Sequence, residues 1–446
     1  MLDAHTARAN TSAGMTVYAE RRAHVLEAMG RGVAIVASAP VALRNNDVEH
    51  AYRQDSDLYY LTGFDEPESV LVLTTEHAEQ RTVLFVRPRD PARETWDGPR
   101  AGVDGAVSDF GADAAFPIGE LAQRLPDYIA NAGRIFYRVG RDRMFDARVL
   151  DALELVRGRH RLGVSAPSEI VDVSRVVHEM RLRKTDAELE IMTRAATVTR
   201  EAHERAMNVA RPGRWEYEVE AEILRVFRSS GAERPAYAPI VGSGPNATIL
   251  HHRRNDRLMQ DGDLVLIDAG AEVGYYASDV TRTFPVSGRF SAPQRAIYAI
   301  VLEAQSAAIA AIAPGATLDD VHAAALRVIT AGLARLGLLA GELEALLEAG
   351  AYKPYYMHRT SHWLGMDVHD VGAYHLDGVP RRLEPGMVLT VEPGVYVATN
   401  AEVEAKWRGI GVRIEDDVLV TTDRCRVLTD APKEPEHLER LLAARV

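Results

Sequence analysis

Apolar positions fall into two regimes along the chain. Up to about residue 173, short apolar runs are bounded by breakers: Gly32–Ser38 (GVAIVAS), Val70–Leu73 (VLVL) and Thr82–Val86 (TVLFV). Their length and β-branched content predict buried strands. Val17–Met29 and Ile118–Ala132 predict helices, so this part predicts an α/β layer domain.

The second regime opens on Val176–Arg183 and the sequence Thr185-Asp186-Ala187-Glu188. Thr185 as N-cap and Glu188 three residues on form a capping box, which predicts a long helix to about Asn208. Arg211-Pro212-Gly213 ends it, and a second helix is predicted over Trp215–Ser229. Strands and turns follow to about Val286, helices from about Pro293 to Glu348, and strands again from about Val388 to Thr421. Helix pairs followed by strands therefore occur twice, near 185–286 and 293–421. This hints at a duplication, although no residue-level repeat is clear. The reading divides the chain into domains at 1–173 and 174–446.

Composition narrows the classes. A chain of 446 residues is too long for one ordinary core. At 47% hydrophobic and 26% charged, wholesale disorder is excluded. Asp and Glu number 64 against 52 Lys and Arg, a formal net charge of −12, which argues against nucleic acid as a partner. The single cysteine, Cys425, excludes an intramolecular disulfide framework and fits a reducing compartment. It lies between Arg424 and Arg426 with no histidine partner in sequence, and reads as incidental. The first residues lack an apolar signal segment, and no apolar run approaches the ~20 residues that span a bilayer. A cytoplasmic protein with no membrane partner is expected.

Four segments carry chemistry. Leu264–Asp268 (LVLID) is an apolar run ending in a carboxylate, and Asp279 follows eleven residues later in SDVTRT. A hairpin centred between Val273 and Gly274 would set Asp268 and Asp279 directly opposite each other. Like charges so placed are destabilising unless a proton is shared or a cation sits between them. A longer turn would leave both facing solvent. The second segment, His358 to Asp370, holds His358, His362 and His369, and imidazole is a common metal ligand and acid–base group. It is not the zincin pattern, because Arg359 occupies the glutamate position. The third, MVLTVE before Pro393-Gly394, again ends a strand in a carboxylate, Glu392. In the fourth, GVRIEDD, alternation puts Val412 and Ile414 on one face and Arg413 and Glu415 on the other. An Arg–Glu pair on one face is often only a salt bridge. Together, four carboxylates at strand ends with nearby histidine form an oxygen-rich ligand set, more suited to two metals than to one. Gly242–Ala247 does not read as a dinucleotide loop, since Pro245 and the following TILHH do not open a helix. Walker A and Gly-x-Ser-x-Gly sequences are absent.

The stretch His358–Asp370, with VLIDAG…DVTRTFPV, GMVLTVEPGVY and GIGVRIEDDVLVT, resembles the proline-peptidase branch of the pita-bread metallopeptidases, peptidase family M24. The segment from Arg44 to Phe64 is similar to the N-terminal domain of the aminopeptidase members, so the resemblance covers nearly the whole chain. It implies an N-terminal α/β domain of the creatinase/aminopeptidase P type, accessory and oligomer-forming, followed by an α+β pita-bread catalytic domain. The family's metal ligands fall on Asp268, Asp279, His362, Glu392 and Glu415, with Asp279 and Glu415 bridging. Its substrate-binding and proton-handling histidines fall on His251, His358 and His369, with Arg413 and Tyr396 at supporting positions and Tyr396 counted with the substrate contacts. Glu392 is the implied proton shuttle. The implied cofactor is two divalent ions, Mn²⁺ first, with Co²⁺, Zn²⁺ or Fe²⁺ as alternatives. The implied reaction is release of the N-terminal residue from peptides with proline second, through a hydroxide bridging the two metals. Alternatives are a prolidase acting on Xaa-Pro dipeptides and a binding module that has lost catalysis. The family implies a homodimer or homotetramer, with Trp96 as a candidate contact.

Overall fold

The computed structural model describes residues 12–445, and the chain separates into two compact units between Met180 and Arg181. That division falls within the helix Ser174–Leu182, whose first residue is also the first of the expected catalytic domain.

In the first unit the apolar runs become the centre of a mixed sheet of six strands. Their order is Ala114–Pro117, Thr82–Val86, Val70–Thr74, Val33–Ala37, Arg134–Phe136 and Glu169–Val171. The middle three are antiparallel neighbours, and the outer strands join in parallel. Every residue of Val70–Thr74 and Thr82–Val86 is buried, which explains why these strands read as continuous apolar runs rather than alternating ones. The helices Leu121–Ile129 and Arg143–Arg157 bury Leu125, Tyr128, Val149 and Leu153 in the same core as Val33, Val72 and Phe85.

The second unit begins its long helix, Asp186–Val209, where the capping box predicts. Thr185 N donates to Glu188 Oε2 at 2.9 Å, and Glu188 N donates to Thr185 Oγ1 at 3.4 Å. Helix Glu216–Ser229 packs on it, followed by an antiparallel sheet in the order Ile240–Ser243, Leu264–Asp268, Thr281–Pro285. The pattern then recurs. Helices Ala292–Ala310 and Leu318–Arg335 pack together and precede the antiparallel sheet Val388–Val391, Asp416–Val420, Cys425–Val427, while Gly411–Arg413, paired in a ribbon with Gly394–Tyr396, packs against Leu264–Asp268 and Thr281–Pro285 of the first sheet. One core unites both halves, joining Ile267 and Phe284 from the first with Leu389, Val412 and Val418 from the second. Among the described residues, no helix is long and apolar enough to cross a membrane.

The hairpin after Leu264–Asp268 differs from expectation. Its turn is Gly274-Tyr275, with φ of 54° and 70°, pairing Val273 with Tyr276 and Glu272 with Ala277. Asp268 therefore pairs with Thr281, not with Asp279. The shift moves the partner by two residues, so side-chain parity is kept and both aspartates still face one side as diagonal neighbours. Cys425 is partly buried, and burial raises its thiol pKa despite Arg424.

Candidate metal centre and active site

Loops and strand ends deliver nine of the predicted residues to one cavity of about 1040 Å³. Its wall includes His251, Asp268, Asp279, His358, His362, His369, Glu392, Arg413 and Glu415. Asp268 and Glu392 arrive because buried strands terminate there, and Glu415 lies between Gly411–Arg413 and Asp416–Val420. Alternation holds in this last segment: Val412 and Ile414 enter the core while Arg413 and Glu415 line the cavity.

The acidic groups are close and scarcely hydrated. Asp279, His362 and Glu415 each offer a donor atom within 4.8 Å of the others, a group able to hold a metal ion. His362 Nε2 lies 3.5 Å from Asp279 Oδ2 and 3.6 Å from Glu392 Oε1. Its Nδ1 faces the carbonyl of Trp363 at 3.0 Å, so Nδ1 carries the donated hydrogen and Nε2 is left for a ligand. Tyr237 joins the two aspartates, its hydroxyl 2.6 Å from Asp268 Oδ1 and hydrogen-bonded to Asp279. Arg413 donates to Asp268 Oδ2 at 2.5 Å and to Thr281 Oγ1 at 3.0 Å, while the Thr281 hydroxyl donates to Glu415 Oε2 at 2.7 Å.

This crowding is legible in the proton affinities. Burial, and then mutual repulsion, raises the carboxyls of Asp268 and Glu415, and burial raises Glu392 to about 8. Burial opposes the charge on His362, but Asp279 and Glu392 more than compensate and hold it at about 9. Four carboxylates with one neutral imidazole nitrogen are the donor chemistry of a hard or borderline divalent cation, so the residues fit the metals the fold implies.

A pH consequence follows for the metal-free protein. Glu392 and His362 both bind protons more tightly folded than unfolded, so their contribution is complete below about pH 4.5 and is lost as pH rises towards about 9. The Tm of chelator-treated protein should fall across that window. Added Mn²⁺ should raise Tm more at pH 8 than at pH 5, because binding displaces those protons. An equal metal-induced rise at both values would contradict this electrostatic picture.

The remaining expected residues divide by position. His251 is exposed at the cavity wall, whereas its neighbour His252 is buried against Glu216 at 2.9 Å. Glu216, His252 and Asp256 form a second group with metal-compatible spacing. The Glu216 carboxylate already accepts from Ser243 N at 2.6 Å, Ser243 Oγ at 2.8 Å and Arg257 N at 3.0 Å, so it serves as a knot for the loop carrying His251. His358 uses both nitrogens internally, Nδ1 towards Arg359 O at 2.8 Å and Nε2 towards the Tyr396 hydroxyl at 2.9 Å. Burial lowers its pKa to about 3, so the ring is neutral. Tyr396 is not part of the cavity wall. It is 2% exposed, and its hydroxyl accepts from Arg413 Nη1 at 3.0 Å while bonding His358. Sequence reading missed Tyr237, Thr281 and Asp417. Asp417 accepts from Asp279 N at 3.1 Å and Ser278 Oγ at 2.8 Å, fixing the turn into Asp279. Tyr237 lies in a stretch, RPAYAP, with no motif to single it out.

The profile of metallopeptidase family M24 matches residues 190–422, which include every acidic residue and histidine of this cluster, and that of the aminopeptidase P N-terminal domain matches residues 18–137. The chain belongs to metallopeptidase family M24. Among its relatives in sequence is the Xaa-Pro aminopeptidase of Escherichia coli, 44% identical over 96% of this chain and 97% of that one. Among solved structures, the aminopeptidase PepP of Pseudomonas aeruginosa is 52% identical, covers 97% of this chain and 98% of its own, and superposes with a TM-score of 0.95. An Escherichia coli aminopeptidase P variant in complex with substrate superposes with a TM-score of 0.94 at 44% identity, over 97% of this chain and 98% of its own. The two units thus carry the family's arrangement, an aminopeptidase P-type N-terminal domain before an M24 catalytic domain.

Proposed function

We propose that this M24 protein is a metal-dependent Xaa-Pro aminopeptidase, removing the first residue of peptides whose second residue is proline. The observation that carries the reading is the convergence in one cavity of Asp268, Asp279, His362, Glu392 and Glu415 with His251, His358 and His369. Relatives bearing that activity align along almost the full chain.

Those five residues would hold two divalent cations, Mn²⁺ by preference, with Co²⁺, Zn²⁺ or Fe²⁺ as alternatives. When bound, the cations supply an activated water and a Lewis acid for the scissile carbonyl. The chain's own groups do the rest. Hydrolysis adds the elements of water across the Xaa–Pro bond: the carbonyl carbon gains oxygen, and the proline nitrogen gains a proton as the C–N bond breaks. Glu392 carries that proton, as a carboxylate at the cavity wall beside His362 can. His251 and His369 donate to the substrate carbonyl as negative charge develops on it, and His358 joins them by exchanging its Arg359 carbonyl for substrate at Nδ1. Arg413 and Tyr396 keep Asp268 and His358 in place. Ile240, Leu250 and Val368 give the wall apolar surface for the proline ring. Proline nitrogen has no hydrogen, so the site needs no acceptor for it.

The test compares Xaa-Pro-Yaa tripeptides with Xaa-Pro dipeptides on the Mn²⁺-loaded protein. Efficient tripeptide cleavage releasing free Xaa is expected, and turnover of dipeptides alone would mean a prolidase.

The proposal extends to assembly and place. The single cysteine suits the cytoplasm. The first unit forms a homodimer or homotetramer, and Trp96, 85% exposed on helix Pro91–Asp97, is a contact. Sedimentation velocity should give an oligomer, and Trp96→Glu should reduce its mass. An unchanged assembly would remove Trp96 from the interface.

A further inference from the structure

The structure points to a clamp that aims His369. Among the described residues, the His369 ring makes no hydrogen bond, and its one aromatic neighbour is the His362 ring, centroids 4.5 Å apart and planes at 82°. Its direction must come from its backbone, and the next residue is Asp370, whose side chain is 1% exposed. Arg181 Nη2 donates to Asp370 Oδ1 at 2.7 Å, and Lys184 Nζ donates to Oδ2 at 3.0 Å. These two cationic side chains are themselves 2% and 0% exposed.

The surrounding backbone makes the clamp rigid at both ends. Lys184 N donates to Gly386 O at 2.8 Å, and Arg183 bridges Met387, so the cationic segment is bound to the strand that leads to Glu392. On the other side, Asp370 N donates to Trp363 O at 2.9 Å, closing the loop that begins beside His362. A Cβ at Gly365 would stand 2.1 Å from Asp370 Oδ2 and 2.8 Å from Lys184 Cε, so only glycine lets the carboxylate and ammonium meet inside this loop. Arg181 also reaches Asp367 at 2.8 Å, so the loop is wrapped around two cations and two carboxylates.

We propose that Arg181 and Lys184 are positioning residues for His369, acting through Asp370. Burying two cations against one enclosed carboxylate costs desolvation that an apolar cluster would avoid, and fixed geometry is what the arrangement gains. The inference rests on the reading of His369 as a group that touches substrate.

The test is a double-mutant cycle on the metal-loaded, full-length protein with an Xaa-Pro-Yaa tripeptide. Lys184→Met and Arg181→Gln each leave Asp370 one cation, so that if one variant folds poorly the other still reports. Each should lower kcat about tenfold or more, as a displaced catalytic contact does, with KM within about twofold and metal content unchanged. In a His369→Ala background, the same substitutions should change kcat less than about twofold. Equal losses with and without His369 would overturn the clamp and leave a structural ion network. So would wild-type kcat in both single variants. Wild-type kcat in His369→Ala alone would instead overturn the assignment of His369 on which the clamp depends.

Discussion

Glu415→Gln should lower kcat/KM for an Xaa-Pro tripeptide by about a thousandfold or more, yet leave the metal-free protein more stable than the parent. The two effects share a cause. Glu415 is 2% exposed, and burial together with Asp279, Glu392 and Asp268 opposes its ionisation. Without cations, the four carboxylates are a source of strain, and replacing one by an amide of the same shape relieves it. The amide oxygen can still accept from Thr281, so local geometry survives. With cations, the same substitution removes a charged donor from the group it forms with Asp279 and His362. Asp279→Asn should lower kcat/KM likewise, since Asp279 belongs to the same group. The measurements are metal content, steady-state kinetics, and chelator-treated Tm at pH 8. Full activity with a full metal complement would contradict the ligand assignment, and a lower metal-free Tm would contradict the repulsion argument.

One residue later the expectation reverses. Asp416→Asn should destabilise the protein by about 3–5 kcal/mol, with or without metal. Asp416 is wholly buried, with Arg282 Nη2 on Oδ1 at 2.6 Å and Lys433 Nζ on Oδ2 at 2.6 Å. Burial would raise its pKa, but these two cations hold it below the usual carboxylate range. Removing its charge leaves the fully buried Arg282 guanidinium and the partly exposed Lys433 without their counter-charge. Arg282 also donates to the carbonyls of Thr281 and Glu415 at 2.9 and 2.6 Å, so the backbone beneath the centre loosens with it. Chemical denaturation should show a lower midpoint, and a change under about 1 kcal/mol would show that the network is dispensable. Adjacent carboxylates thus differ by partner: Glu415 meets anions across the cavity, and Asp416 meets cations beneath it.

This contrast also marks what the sequence makes legible. Asp268 and Glu392 are readable because a buried strand ending in a carboxylate is a local pattern, and Arg413 with Glu415 is readable because alternation sets them opposite Val412 and Ile414. The capping box at Thr185 and the helix pairs are local too, and the structure keeps them. The hairpin register is not readable in the same way. Its turn puts a tyrosine, Tyr275, at positive φ, a conformation that residue type does not advertise. Nor is the difference between His251 and His252, identical neighbours separated only by Glu216, which is 36 positions away from the buried one. Tyr237, Asp417 and the Arg181–Lys184–Asp370 clamp all depend on partners 31 to 189 residues distant. Tertiary packing alone brings such pairs together, and no spacing rule encodes them. The resemblance to the M24 family supplied ligand positions, but it could not say which groups hold those ligands still.

The most direct measurement is a metal titration. Protein stripped by chelator would receive Mn²⁺ in steps while release of free Xaa from an Xaa-Pro-Yaa peptide is followed. The account predicts no hydrolysis in chelator, full hydrolysis by two equivalents per chain, and no comparable cleavage when alanine replaces proline. Full cleavage in the presence of chelator, or two bound metals without any cleavage of the proline peptide, would contradict it.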